Sequence, residues 1–160
     1  MRHPLITIPA LLLAVLSLGA LPARADEDSP RAVIDDIYGQ VNAMCGGDGN
    51  GPAYDITEIA KAHFTPALKA TFEASMDSEE LGFDILVDAQ DCKTTDLTLS
   101  ILDSADTSAK ARATFKNMGA ERVVDLEMTK IGEAWKVSDV AYGHRPFSLK
   151  ALTVAAPSGN

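Results

Sequence analysis

At Cys92 the spacing of apolar residues changes from about 3.6 to 2, and few features of a chain constrain its fold more. Upstream, Val33, Ile37, Val41 and Cys45 recur every four residues, with Ile34, Tyr38 and Met44 beside them. Downstream, Leu97, Leu99 and Ile101 alternate with Thr98 and Ser100. Ala109, Ala111, Ala113 and Phe115 then face away from Lys110, Arg112, Thr114 and Lys116. Val124, Leu126 and Met128 alternate with Val123, Asp125 and Glu127, and Trp135 with Val137 opens a run reaching Tyr142. Four such runs, joined by short turns at 117–119 and 131–133, predict an antiparallel meander with one apolar face. Helices first and a sheet second make an α+β layer pair. The stretch DILVDAQDC, 84–92, is the joint between the two halves.

The helical half carries its own punctuation. Ser29-Pro30 is an N-cap followed by a proline at the first helical position, and predicts a helix over 30–45. A short helix is expected over Ile56–His63, and Thr65-Pro66 starts another to about Met76, with Leu68 and Phe72 on its inner stripe. Ser78-Glu79-Glu80 could add a further turn. The glycine-rich 46–52 lacks the lysine and hydroxyl of a phosphate loop and is read as a surface loop.

Arg2 and His3, the apolar run Leu5–Leu21 and the small residues Ala23 and Ala25 have the form of a secretory signal peptide cleaved after Ala25. The run is too short and too interrupted for the roughly 20 apolar residues of a membrane span. Residues 26–160 then form one domain, which carries 12 basic against 23 acidic residues, a formal −11. That field disfavours nucleic acid or an anionic membrane as partner, and no membrane association is expected once the signal is removed. Export also favours pairing of the two cysteines, Cys45 and Cys92. Closing a loop of about 48 residues would stabilise an unstrained fold by roughly 4 kcal/mol in the chain-entropy model.

With these residues placed, the chain resembles a family of bacterial exported proteins of unknown function within the nuclear transport factor two-like superfamily. The resemblance rests on 33–38, Phe64-Thr65-Pro66-Ala67-Leu68, Asp84 with Ala89-Gln90-Asp91, Trp135-Lys136-Val137-Ser138-Asp139-Val140, and Ser148-Leu149-Lys150-Ala151-Leu152. It implies a cone in which helices fill the concave side of a curved sheet, with or without a pocket, and it implies no agreed activity. Ketosteroid isomerase and scytalone dehydratase share that superfamily and work with side chains inside such a cavity.

The candidate sites divide accordingly. Asp84, Asp88 and Asp91 do not have the spacing of a twelve-residue calcium loop, and capping of backbone groups is the expectation for them. Gln90 and Asp91 are the candidate binding pair if the joint is a binding loop. Strict alternation would put Asp139 beside Trp135 and Val137 inside the cone, as a general acid or base with Tyr38 or Tyr142 as hydrogen-bond donor. A bulge at Ser138-Asp139 would turn the carboxylate out and bring Val140 in, and needs no buried charge. His63 suits the negative end of its helix. His144 lies in a loop, and the two histidines lack zinc-ligand spacing. Trp135 either anchors the core or lines a cone mouth. The small Ala109, Ala111 and Ala113 admit a closely docked helix or leave a hollow, and the docked helix is expected.

The function expected is therefore an exported, periplasmic module that binds a small ligand or an exported protein, with no cofactor and no metal. A cone enzyme using Asp139 is the first alternative. An inhibitor or immunity protein against a secreted enzyme is the second.

Overall fold

The computed structural model of the chain describes residues 28–47, 51–78 and 81–152. The signal segment 1–25 lies outside them, as do Glu79 and Glu80 of the expected extra turn. Three helices, α1 (Pro30–Cys45), α2 (Ile56–His63) and α3 (Pro66–Asp77), precede four strands, β1 (Thr94–Ser104), β2 (Ser108–Asn117), β3 (Ala120–Ile131) and β4 (Ala134–Tyr142). A single 3-10 turn, Leu149–Ala151, follows. The strands lie side by side in the order β1-β2-β3-β4, antiparallel throughout. This is the α+β architecture that the change of period predicts.

Each helix begins where a short polar side chain replaces the missing backbone acceptor. Ser29 Oγ accepts from Ala32 N, Asp55 from Thr57 N and Glu58 N, and Thr65 Oγ1 from Leu68 N. The buried stripe of α1 is Val33, Ile34, Ile37, Tyr38, Val41 and Cys45. It docks across β1 and β2, where Ala111 and Ala113 are fully buried. Ala111 and Ala113 line none of the four grooves described below, whereas Ala109 lines the one across the strands beside Lys110 and Glu127. The core forms one cluster running from Val33 through Ile85–Val87 to Leu149.

The sheet bends where its ladder is interrupted. Register shifts fall between Thr95 and Thr98 and between Ile101 and Asp103 in β1. In β4, Glu127 pairs Asp139 while Met128 pairs Val137, so Ser138 is the extra residue of a bulge. Val137 and Val140 are both buried as a result, and Ser138 and Asp139 are both turned off the apolar face. The corner between α2 and α3 is stitched to the same strand by Thr65 N, which donates to Val137 O at 2.8 Å. That contact fixes α3 over one end of the sheet. No helix among the described residues is long and apolar enough to cross a membrane.

Candidate functional site

The joint 84–92 is closed on itself before anything else touches it. Leu86 N donates to Asp84 Oδ1 at 2.7 Å, Asp88 N to Asp84 O at 2.8 Å, and Asp84 N to Ala89 O at 2.9 Å. This is what a short carboxylate does at a turn: it satisfies backbone groups that no helix or strand is present to satisfy. Asp88 completes the turn with φ of 54°, a left-handed backbone that Asp and Asn tolerate better than most residues. Ile85, Leu86 and Val87 consequently point into the core, each no more than 1% exposed.

Side chains from α1, the segment before α2, the end of β2 and the loop after β4 then hold the joint. Tyr38 of α1 donates its hydroxyl to Leu86 O at 3.1 Å, and the Tyr54 hydroxyl donates to Asp84 Oδ2. Asn117, at the end of β2, donates from Nδ2 to Asp91 O at 2.9 Å and accepts from Lys93 N at 2.7 Å. Cys92 is bonded to Cys45 at the end of α1, with 5.2 Å between the Cα atoms. Arg145, beyond β4, donates from Nε to Asp88 Oδ1, and its guanidinium lies 3.9 Å from the Phe83 ring centroid. His144 Nδ1 lies 3.0 Å from Asp88 Oδ2 without the alignment of a hydrogen bond, so that buried oxygen has no hydrogen-bond partner. Burial, and then the charge of Asp84, drive the Tyr54 hydroxyl far above its ordinary pKa. Burial does the same for Tyr38, and for Tyr142 with Asp88 the next cause.

Around this rigid turn run two adjoining grooves. The first, about 430 Å³, lies between α3 and the approach to the joint, with Phe72, Met76, Leu81, Phe83 and Ile85 as its apolar wall. The second, about 360 Å³, adds Met44, Tyr54, Val87, Asp91 and Cys92. Ile56, Asp84 and Gln90 line both, so the grooves meet at the carboxylate that organises the turn. A third groove, about 300 Å³, runs over the polar side of α1 beside Asp35, Asp36, Gly39 and Gln40. A fourth, about 360 Å³, crosses strand residues Lys110, Glu127 and Thr129. The first has two phenylalanines and four aliphatic side chains in its wall, the mainly apolar lining that small-molecule sites use.

The sequence candidates scatter around this arrangement. Gln90 and Asp91 line the grooves, whereas Trp135, Tyr38, Tyr142 and Asp139 line none of the four. Trp135 is 8% exposed within the core. Asp139 Oδ1 accepts from Val140 N at 2.8 Å and from Lys150 N at 2.9 Å, so the carboxylate anchors the 3-10 turn. Tyr142 packs edge-on against Phe83 and Phe147, its buried hydroxyl unpartnered. His63 Nε2 sits 2.7 Å from Asp36 Oδ2. Among the described residues, no three His, Cys, Asp or Glu side chains cluster as metal ligands would. The residues that sequence reasoning missed are Leu81, Phe83, Met76 and Tyr54. Their one signal was the apolar Leu81-Gly82-Phe83 immediately before the joint, with no periodicity to absorb it.

No family model and no curated protein matches the chain. A solved structure of the phospholipid-binding protein from Ralstonia solanacearum, in complex with a phospholipid, is similar over 54% of this chain at 20% identity, with a TM-score of 0.34. The match takes in 48% of that protein, so the chain spans about half its length. At that TM-score the likeness carries no argument about fold or function.

Proposed function

We propose that this chain is an exported binding module that takes a small, largely apolar ligand in the groove between α3 and the joint. The observation that carries the reading is the contrast between a rigid floor and an open apolar wall. The floor, 84–92, is fixed by Tyr38, Tyr54, Asn117, Arg145 and the disulfide. Beside it Met76 is 49% exposed, and Phe72, Leu81 and Phe83 flank a volume within the roughly 300–1,000 Å³ of small-molecule sites. A binding surface built on immobilised backbone loses little entropy when a ligand arrives. Export is supported by the form of residues 1–25 and by a disulfide that persists in an oxidising compartment. Membership of the nuclear transport factor two-like superfamily belongs to the same proposal, supported by helices that precede and cover a bulged antiparallel meander.

Catalysis has less to stand on. The Asp139 carboxylate is occupied by two backbone N–H groups and faces none of the four grooves, so the general-base alternative lacks a place for a substrate. The direct test is titration of the folded, disulfide-intact protein with N-phenyl-1-naphthylamine, a neutral probe that fluoresces in apolar sites. Saturable enhancement at one site per chain supports the reading; a signal no greater than that of a groove-free protein removes it.

A further inference from the structure

The wall of the groove is apolar, but its polar end has a sign. No lysine or arginine lines either of the two adjoining grooves. Arg145, which stacks on Phe83, is committed to Asp88, and Lys93, next in sequence to Cys92, lines neither groove. The polar groups that do line the grooves are Asp84, Gln90 and Asp91, with Tyr54. Among the described residues Asp84 and Asp91 belong to no ion pair, whereas Asp35, Asp36, Asp88, Asp96 and Asp125 each do. Asp84 receives only neutral donors, Leu86 N and the Tyr54 hydroxyl, and each carboxylate oxygen has a second lone pair to offer. The Asp91 side chain is exposed and carries no hydrogen bond among those described.

We propose that the groove takes an amphiphile with a cationic head, its ammonium seated by Asp84 and Asp91 and its apolar body laid along Phe72, Met76, Leu81 and Phe83. The proposal rests on the binding reading above and gives it a chemical class. An anionic head at the same place would be brought against two carboxylates, with no lysine or arginine in the lining to offset them. A cationic head instead finds charge-assisted acceptors there. The rest of the molecule reinforces the preference, because a formal −9 over the full chain raises the local concentration of cations and not of anions.

Three twelve-carbon amphiphiles of different head separate the possibilities, each titrated calorimetrically below its micelle concentration at neutral pH and physiological salt. The folded full chain should bind dodecylammonium at least roughly tenfold more tightly than dodecyl maltoside, and dodecanoate most weakly, a tenfold step being 1.4 kcal/mol. Asp91→Asn should weaken dodecylammonium by roughly three- to tenfold, in the range of a single charge-assisted contact, and weaken dodecyl maltoside by a clearly smaller factor. Asp106→Asn, in the exposed turn after β1, should change neither. Asp84→Asn should weaken dodecylammonium further; should the turn fail to form without Asp84, Asp91→Asn alone decides the matter. Equal affinity for all three heads overturns the cationic preference and leaves the groove reading intact, while absence of binding by all three removes both. An equal loss in Asp106→Asn and Asp91→Asn also overturns the proposal, since it assigns the cation to the general surface field.

Discussion

Arg145 donates from Nε to the carboxylate of Asp88, a side chain with no solvent exposure that lies 57 residues earlier. The pair ties the loop after β4 to the joint between the helical and sheet halves. A buried ion pair of this kind is weak evidence of net stabilisation, but breaking it on one side is expensive because the remaining charge stays buried. Arg145→Met should therefore cost about 3–5 kcal/mol in denaturant unfolding. Asp88→Asn on the same background should recover a large part of that, since asparagine suits the left-handed backbone there. Equal stability of the single and double variants would show that the charge of Asp88 is not what Arg145 answers.

All three tyrosines of the chain, Tyr38, Tyr54 and Tyr142, have pKa values raised by burial in the folded state. A raised folded value leaves stability intact below the unfolded pKa of about 10 and removes it as pH climbs above that. Tyrosinate absorbance should accordingly stay flat past pH ~10 and then rise in one step together with the loss of circular dichroism. Independent titration of a tyrosine in the folded protein near pH ~10 would place that hydroxyl in solvent.

The Cys45–Cys92 bond closes a sequence separation of 47 residues between the end of α1 and the joint. Its removal by Cys45→Ala with Cys92→Ala should cost about 2–5 kcal/mol, read from urea midpoints at constant slope. Because Cys92 lines the second groove, probe binding should weaken along with stability.

Asp125 on β3 takes two hydrogen bonds from Arg112 on β2, at 2.6 and 2.9 Å. Arg112 is the chief cause of its lowered pKa. A depressed carboxylate contributes stability above its unfolded value of about 3.9, and that contribution is lost as pH falls through the folded value. Arg112 is 40% exposed, so Arg112→Gln should cost less than about 1 kcal/mol at neutral pH. The difference from wild type should vanish in strong acid, and a difference that persists there would point to packing instead of charge.

How much of this was legible beforehand follows from what the signals are. The α1 stripe, the Ser29-Pro30 and Thr65-Pro66 starts and the four strands could be read because periodicity and capping are local. The bulge at Ser138 was readable as an option, since Val140 restores the apolar pattern only if one residue is skipped. Pairing of Cys45 with Cys92 could be read from their number and from the signal-like form of residues 1–25. The groove was not readable, because its wall joins Phe72 and Met76 to Leu81 and Phe83 across the end of α3, and no period spans such a junction. Nor was Arg145, whose partner Asp88 is fixed by the turn geometry of a distant segment. Asp139 looks chemical only under strict alternation, the arrangement that the bulge at Ser138 replaces.

The groove itself is tested most directly by filling it. Gly82 lines it, and a Cβ built there meets nothing within 4 Å, so a large side chain at this position enters open space and not the core. The decisive measurement is the N-phenyl-1-naphthylamine titration of wild type and Gly82→Trp, with thermal unfolding of both alongside. The account predicts saturable binding to wild type, at least roughly tenfold weaker in the variant, and melting temperatures within a few degrees of each other, as for a surface change. Undiminished binding to a folded Gly82→Trp would contradict it and place the ligand elsewhere on the molecule.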